Sequence, residues 1–136
     1  MKLLQRLRWL LVFCLFFASV SYAAPLTEEQ KIQAMIHSVE VLPGAHFIRN
    51  GNSYDGKAAA DHLRSKRNYA GSRIKTAEEF IQGIASRSSM SGLPYKVQFA
   101  DGHTEDSEVY FHDELKRLET PASAGTGSPA PAKTAP

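Results

Sequence analysis

Residues 27–50 read TEEQKIQAMIHSVEVLPGAHFIRN, a helical pattern followed at once by an extended one. Thr27 opens a capping box, and apolar side chains then recur at helical spacing between residues 32 and 42. The Pro43-Gly44 pair ends this helix, because proline cannot continue it. Residues 45–49 predict a short strand. The stretch therefore predicts a domain in which helices and strands are mixed.

A second helix is predicted through Tyr69, with Ser53 or Asp55 as its N-cap and Gly71 after its end. Its apolar face is thin and rich in alanine, so we expect it to pack closely against a neighbouring element. That face consists of Ala58, Ala59, Leu63, Tyr69 and Ala70.

Two further helices and a second strand complete the domain. Thr76 begins another capping box, and Ser107 is predicted to cap a last helix that carries Phe111, Leu115 and Leu118. Residues 95–99 alternate as a half-buried strand does.

Two turns are predicted at residues 50–53 and at Asp101-Gly102, with a weak strand at 103–105 after the second. The fold class is therefore α+β, with about four short helices and a two- or three-stranded antiparallel sheet.

The two ends of the chain differ from this middle part. Residues 1–23 show three basic side chains, an apolar run and small residues at 21 and 23, as a secretory signal peptide does. We expect cleavage after Ala23 and export to the periplasm, with an uncleaved membrane anchor as the alternative. Residues 120–136 are rich in Pro and Ala, and we expect them to form a disordered tail. Residues 24–119 are then the single domain.

Composition excludes several function classes for the mature chain. Residues 24–136 hold 13 basic and 14 acidic side chains, so the net charge of −1 disfavours a nucleic-acid binder. The single cysteine, Cys14, lies in the predicted signal, which leaves no thiol for a disulfide, a nucleophile or a zinc site. We expect no transmembrane segment after cleavage, because no second apolar run follows.

Four blocks of residues resemble the YfeK-like family, small exported proteins of Gram-negative bacteria. They are Phe47–Gly51, His62–Arg64 with Lys66, Thr76–Ile81, and a last block of Ala85-Ser86, Ser88-Ser89, Ser91-Gly92, Pro94-Tyr95 and Val97. The resemblance covers about residues 26–118. It implies a periplasmic location and a domain of unknown function, with no established activity, ligand or catalytic residue to carry over.

Charge is unevenly distributed along the domain. Residues 49–87 hold eight basic and four acidic side chains, whereas residues 88–120 hold three basic and seven acidic ones. The two segments could neutralise one another, or the basic segment could bind an anionic envelope protein, glycan or lipid headgroup. The binding hypothesis adds the serine-rich loop Ser86–Gly92, whose serines could instead hydrogen-bond the backbone locally. Its candidate residues are Arg49, Asn50, Arg64, Ser86, Arg87, Ser88, Ser89 and Ser91.

The alternative function is a small hydrolase or transferase that uses the Ser86–Ser91 loop with a histidine such as His62. A serine hydroxyl close to a histidine nitrogen would favour it. No catalytic motif stands above chance, and the five histidines lack the helical spacing of a zinc site. The sequence also lacks a phosphate-binding loop and a dinucleotide fingerprint. We therefore predict a non-catalytic domain with no metal and no cofactor.

Overall fold

The computed structural model describes residues 24–120, which form four α-helices and one antiparallel sheet. The α+β class predicted from the sequence is confirmed. The predicted signal peptide at 1–23, with its cleavage site, and residues 121–136 of the predicted tail lie outside the described residues.

Helices and strands alternate along the chain. Helix α1 is Glu28–Val41, strand β1 is His46–Arg49, strand β2 is Asn52–Tyr54 and helix α2 is Gly56–Ala70. A 3₁₀ turn at Gly71–Arg73 leads to helix α3, Ala77–Phe80, which continues as a π-helical turn, Ile81–Ala85. Strand β3, Lys96–Gln98, and strand β4, Thr104–Asp106, precede helix α4, Ser107–Glu119.

Helix α1 carries the centre of the core. Its capping box forms as predicted: the Thr27 hydroxyl accepts from the Gln30 amide, and the Gln30 side chain accepts from the Thr27 amide. The apolar face of α1 contacts α2, α3 and α4, and its four core side chains are fully buried. They are Ile32, Met35, Ile36 and Val39.

The sheet has four strands in the order β2-β1-β3-β4. The central pair, β1 and β3, is distant in sequence, and Phe47 lies opposite Tyr54 on one side and Val97 on the other. The sequence predicts at most three strands. The weak strand predicted at residues 103–105 is confirmed, shifted by one residue, as β4, which pairs with β3.

The predicted turn at residues 50–53 is wrong for its second half. Asn52 and Ser53 belong to β2, because Asn50 and Gly51 alone reverse the chain. Both have positive φ, 51° and 79°, as a tight two-residue hairpin requires. Strand β2 is therefore the fourth strand that the sequence analysis did not identify.

Two details of the predicted helices are also wrong. Tyr69 does not belong to the apolar face of α2: it is 86% exposed, because it lies on the outer side of the last turn. Ser107 is the first helical residue of α4, whose N-cap is Asp106. The Ser107 hydroxyl instead donates to the carbonyl oxygen of Ala85, a buried contact of 2.6 Å.

A glycine lets α2 begin against the end of α1. A Cβ atom on Gly56 would lie 2.5 Å from the Val39 carbonyl oxygen and 3.0 Å from that of Glu40. These are backbone atoms, so they cannot move aside as a flexible side chain can. The close approach fixes the position of α2 relative to α1.

We expect Gly56→Ala to lower the free energy of unfolding by about 1–3 kcal/mol, as overpacking against fixed atoms does. Urea denaturation measures it. Gly83→Ala is the matched control, since its Cβ would meet only the flexible end of Ile74, at 3.2 Å. Equal effects of the two substitutions would contradict the proposed role of Gly56.

Candidate functional site

On the core side of the sheet, β1 ends in a cation, Arg49. Side chains alternate between the two faces of a strand, so Arg49 lies on the same face as Phe47, and Tyr95 on the same face as Val97. Phe47 and Val97 are buried in the core. Arg49 is half-buried one pleat further along, where the core ends. The strand pattern therefore points a guanidinium group toward the space between the sheet and α2.

Helix α2 supplies two further basic side chains to the same space. Ala59, His62 and Lys66 recur at spacings of three and four residues and so share one face of the helix. Both His62 and Lys66 are half-buried. The face lies toward β1 and β3, where it meets Arg49 and Tyr95.

A cavity of about 220 Å³ lies between this face of α2 and the sheet. Its lining is mostly apolar. The lining contains basic side chains but no Asp or Glu. The lining residues are Phe47, Ile48, Arg49, Tyr54, Ala58, Ala59, His62, Leu63, Ala85, Tyr95, Lys96, Ser107 and Phe111. As the sequence predicts, α2 packs closely against a neighbouring element, α1, and Ala59 packs against the core. Ala58 is exposed, and both alanines also line this open space.

Arg49 is held by neutral groups. Its Nη1 lies 2.8 Å from Nδ1 and 2.9 Å from Nε2 of His62, so it donates to whichever ring nitrogen is unprotonated. Its Cζ lies 5.2 Å from the centroid of the Tyr54 ring, within the range of a cation–π contact. Within residues 24–120, no ion pair joins Arg49 to a carboxylate. The positive charge of Arg49 is therefore uncompensated at the cavity.

His62 is neutral in this environment at neutral pH. Burial lowers its pKa, and the positive charges of Arg49 and Lys66 act in the same direction. Its Nε2 also lies 3.4 Å from the Tyr95 hydroxyl. A neutral ring can accept a hydrogen bond from Arg49, which a protonated ring could not.

Lys66 is anchored at the end of the π-helical turn. Its Nζ donates to the carbonyl oxygens of Ile84 at 2.7 Å and Arg87 at 3.0 Å, and it lies 3.4 Å from the Tyr95 hydroxyl. A cation is favoured there, because free carbonyls collect at a helix C-terminus. Burial lowers the Lys66 pKa to about 8, and Arg49 adds to the effect. Burial also raises the pKa of Tyr95, against the effects of Arg49 and Ser88.

The serine-rich loop hydrogen-bonds within itself and with the chain on either side of it. The buried Ser86 hydroxyl donates to the Ile81 carbonyl oxygen at 2.6 Å, and the Ser88 hydroxyl accepts from the Ser91 amide at 3.3 Å. Ser89 is exposed. Backbone contacts link the loop to the site, since the Arg87 carbonyl oxygen accepts from Lys66 and the Ser86 carbonyl oxygen accepts from the Tyr95 amide. A side-chain contact adds to them: Ser91 Oγ donates to Asn50 Oδ1 at 2.6 Å. The structure thus brings Asn50 and Ser91 together beside Arg49 and places the Ser88 side chain at Tyr95, whereas Ser86 is bonded to the π-helical turn and Ser89 is exposed.

The other two arginines of the predicted site lie elsewhere. Arg64 faces α1, where it forms ion pairs with Glu40 and with Asp61 of its own helix. Arg87 is exposed, and its Nη2 lies 4.0 Å from Glu108. Lys57 and Arg67 also form ion pairs with carboxylates, so four of the eight basic side chains at 49–87 are compensated. The basic segment is not one continuous cationic surface.

The described residues contain no contact of the kind that the hydrolase alternative requires. In residues 24–120, none of the five histidines is hydrogen-bonded to a serine: the partners of His62 are Arg49 and Tyr95. No three His, Cys, Asp or Glu side chains in this part of the chain are placed to share a metal ion. No helix between residues 24 and 120 is long and apolar enough to cross a membrane.

Sequence reasoning missed Tyr54, Lys66 and Tyr95 as members of the site. The alternation of Phe47 with Arg49, and of Val97 with Tyr95, was a usable signal for the sheet residues. The recurrence of Ala59, His62 and Lys66 was a signal for the helix. No pattern in the sequence shows that these two faces oppose each other.

Comparisons with known proteins return descriptions that assign no activity. Residues 26–119 match a family model described as "Family of unknown function (DUF5329)". The uncharacterized protein YfeK of Salmonella typhimurium is 41% identical to this chain over 68 residues, which are 50% of this chain. The match covers 57% of that relative, little more than half of its length. No solved structure matches the chain.

We expect the His62 ring to titrate below pH 6.5, and its pKa to rise toward 6.5 in Arg49→Gln, because that change removes a neighbouring positive charge. NMR of the imidazole protons measures both. Because the His62 pKa is lower in the folded state than in the unfolded state, the unfolded state binds more protons as the pH falls below 6.5. His62 therefore lowers the free energy of unfolding as the pH falls below 6.5. Arg87→Gln is the control, and a His62 pKa that Arg49→Gln leaves unchanged would contradict the contact.

Proposed function

We propose that this chain, which belongs to the family of unknown function DUF5329, is an exported, non-catalytic protein that binds an anionic partner at Arg49. The description of the family assigns no activity. The observation that carries this proposal is the uncompensated charge of Arg49 beside a cavity whose lining contains no carboxylate. A half-buried cation without a counter-ion is costly to hold, so an anion bound there would be stabilised.

The geometry of Arg49 supports an anion rather than a neutral partner. Within residues 24–120, Nη1 is the one guanidinium nitrogen of Arg49 that takes part in a hydrogen bond. Nε and Nη2 remain as a fork of donors, the arrangement that matches a carboxylate or a phosphate.

The neighbours of Arg49 add to its field without competing for the anion. Lys66 contributes positive charge, although its own donors go to carbonyl oxygens. Lys96, at the cavity edge, is neutralised by Asp106 at 2.6 Å. The cluster of Arg49, His62, Lys66 and Tyr95, which we call the Arg49 cluster, therefore presents one accessible positive charge.

Binding is favoured over catalysis by what surrounds His62. A histidine that acts as a base on serine must accept that hydroxyl proton, whereas this ring contacts Arg49 and Tyr95. Its lowered pKa favours the neutral form, which suits a support for Arg49.

Anion binding is tested by titrating the purified protein with acetate, inorganic phosphate and phenylacetate at constant ionic strength, with NMR of the backbone amides as the readout. We expect saturable shifts at Arg49, Tyr54 and His62. Arg49→Gln should weaken the best of these anions at least about tenfold, as loss of a charge-assisted pair does. Arg87→Gln, which removes an exposed arginine outside the cavity, should leave the affinity within about twofold. Equal effects of the two substitutions, or no binding of any anion, would contradict the proposal.

Export is tested by expressing the full chain in a bacterium with two membranes and sequencing the N-terminus of the protein recovered from the periplasm. We expect the mature chain to begin at Ala24. Ala23→Arg is the matched variant, since a large charged residue before the cleavage site should block processing. A periplasmic protein that still begins at Met1, or a wild-type protein confined to the cytosol, would be the contrary result.

A further inference from the structure

We infer that the occupant of the cavity beside Arg49 is a small monocarboxylate with an apolar body about the size of one aromatic ring. The inference rests on the proposed function and names the chemical class of its anion. The carboxylate would pair with Arg49, and the apolar body would fill the space between α2 and the sheet.

The volume of the cavity sets the size of the apolar body. At about 220 Å³ it exceeds the roughly 150 Å³ apolar cavity that is known to take up benzene. One aromatic ring with a link of one or two carbons therefore fills the space. The floor is made of apolar core side chains, among them Leu63 and Phe111, which offer contact surface and few polar partners.

The charges at the cavity favour a single negative charge. Arg49 is the charged lining residue that no ion pair compensates in residues 24–120, because His62 is neutral and Lys96 is paired with Asp106. A dianion such as a phosphate monoester would bring a second negative charge into an apolar space with no second free cation. A carboxylate needs only the two donors that Arg49 leaves unused.

The alanines of α2 explain why the space exists. Ala59 is half-buried and Ala58 is exposed, and both line the cavity beneath the Arg49 cluster. A larger side chain at either position would project into the volume that the apolar body requires. Substitutions at Ala58 or Ala59 therefore test the apolar contribution to binding without changing the charge of Arg49.

The test compares three ligands that differ in one property each: phenylacetate, acetate without the ring, and phenylacetamide without the charge. Affinities are measured by NMR titration of the purified protein. We expect phenylacetate to bind at least about tenfold more tightly than either of the others, since it alone uses both Arg49 and the apolar space.

The matched variants are Ala59→Leu, which fills the cavity, and Ser65→Leu, which adds the same side chain to an exposed position of α2 outside the lining. Ala59→Leu should weaken phenylacetate at least about tenfold and leave acetate within about twofold. Ser65→Leu should change neither ligand by more than about twofold. Ala58→Leu repeats the test from an exposed position that does not disturb buried packing.

The outcomes show whether the inference alone is wrong or the proposed function is wrong as well. If phenylacetate and acetate bind equally, or if both cavity-filling variants keep full affinity for phenylacetate, the inference is wrong and the anion binds at the surface. The proposed function then stands as long as Arg49→Gln still weakens binding. If no carboxylic acid binds while inorganic phosphate still binds through Arg49, only the inference is wrong. If no anion binds, or if binding does not depend on Arg49, both are overturned.

Discussion

Strand alternation is the constraint on which the site depends. In β1 and β3 every second side chain faces the core, so Phe47 and Val97 are buried and the next inward positions are Arg49 and Tyr95. Phe47 is buried, whereas Arg49 is half-buried at the end of β1. The cation is therefore directed inward at the place where apolar packing ends, and a shift of one residue in register would direct it to solvent.

The space beside Arg49 follows from how α2 packs. Gly56 lets α2 begin against the carbonyl oxygens at the end of α1, and α2 contacts α1 more extensively than it contacts β1. Toward the sheet it presents Ala58 and Ala59, which are too short to reach across. The packing that stabilises the helix pair is thus also what leaves an apolar cavity between helix and sheet.

The electrostatics of the site result from this partial enclosure. Arg49, Lys66 and His62 are close together, so burial and like charge lower the pKa of both His62 and Lys66. Lys66 is nevertheless fixed by carbonyl oxygens at the end of the π-helical turn, and Arg49 by the neutral His62 ring. The positive charge of Arg49 remains available to a bound anion. The charges of Arg64 and Arg67 are instead compensated by ion pairs with glutamates.

The sequence by itself determined the helices and the two central strands, because capping boxes, helical spacing and strand alternation are local. It predicted four helices, the central strands and Arg49 as a candidate, but it also grouped Arg64 and Arg87 with Arg49 because they are near in sequence. Only the tertiary structure decided that Arg64 turns to Glu40, that Asn52 and Ser53 form an edge strand, and that Arg49 meets His62 and Tyr95. Such contacts depend on how elements that are distant in sequence pack against one another. Neither the type of a residue nor its local spacing predicts that packing.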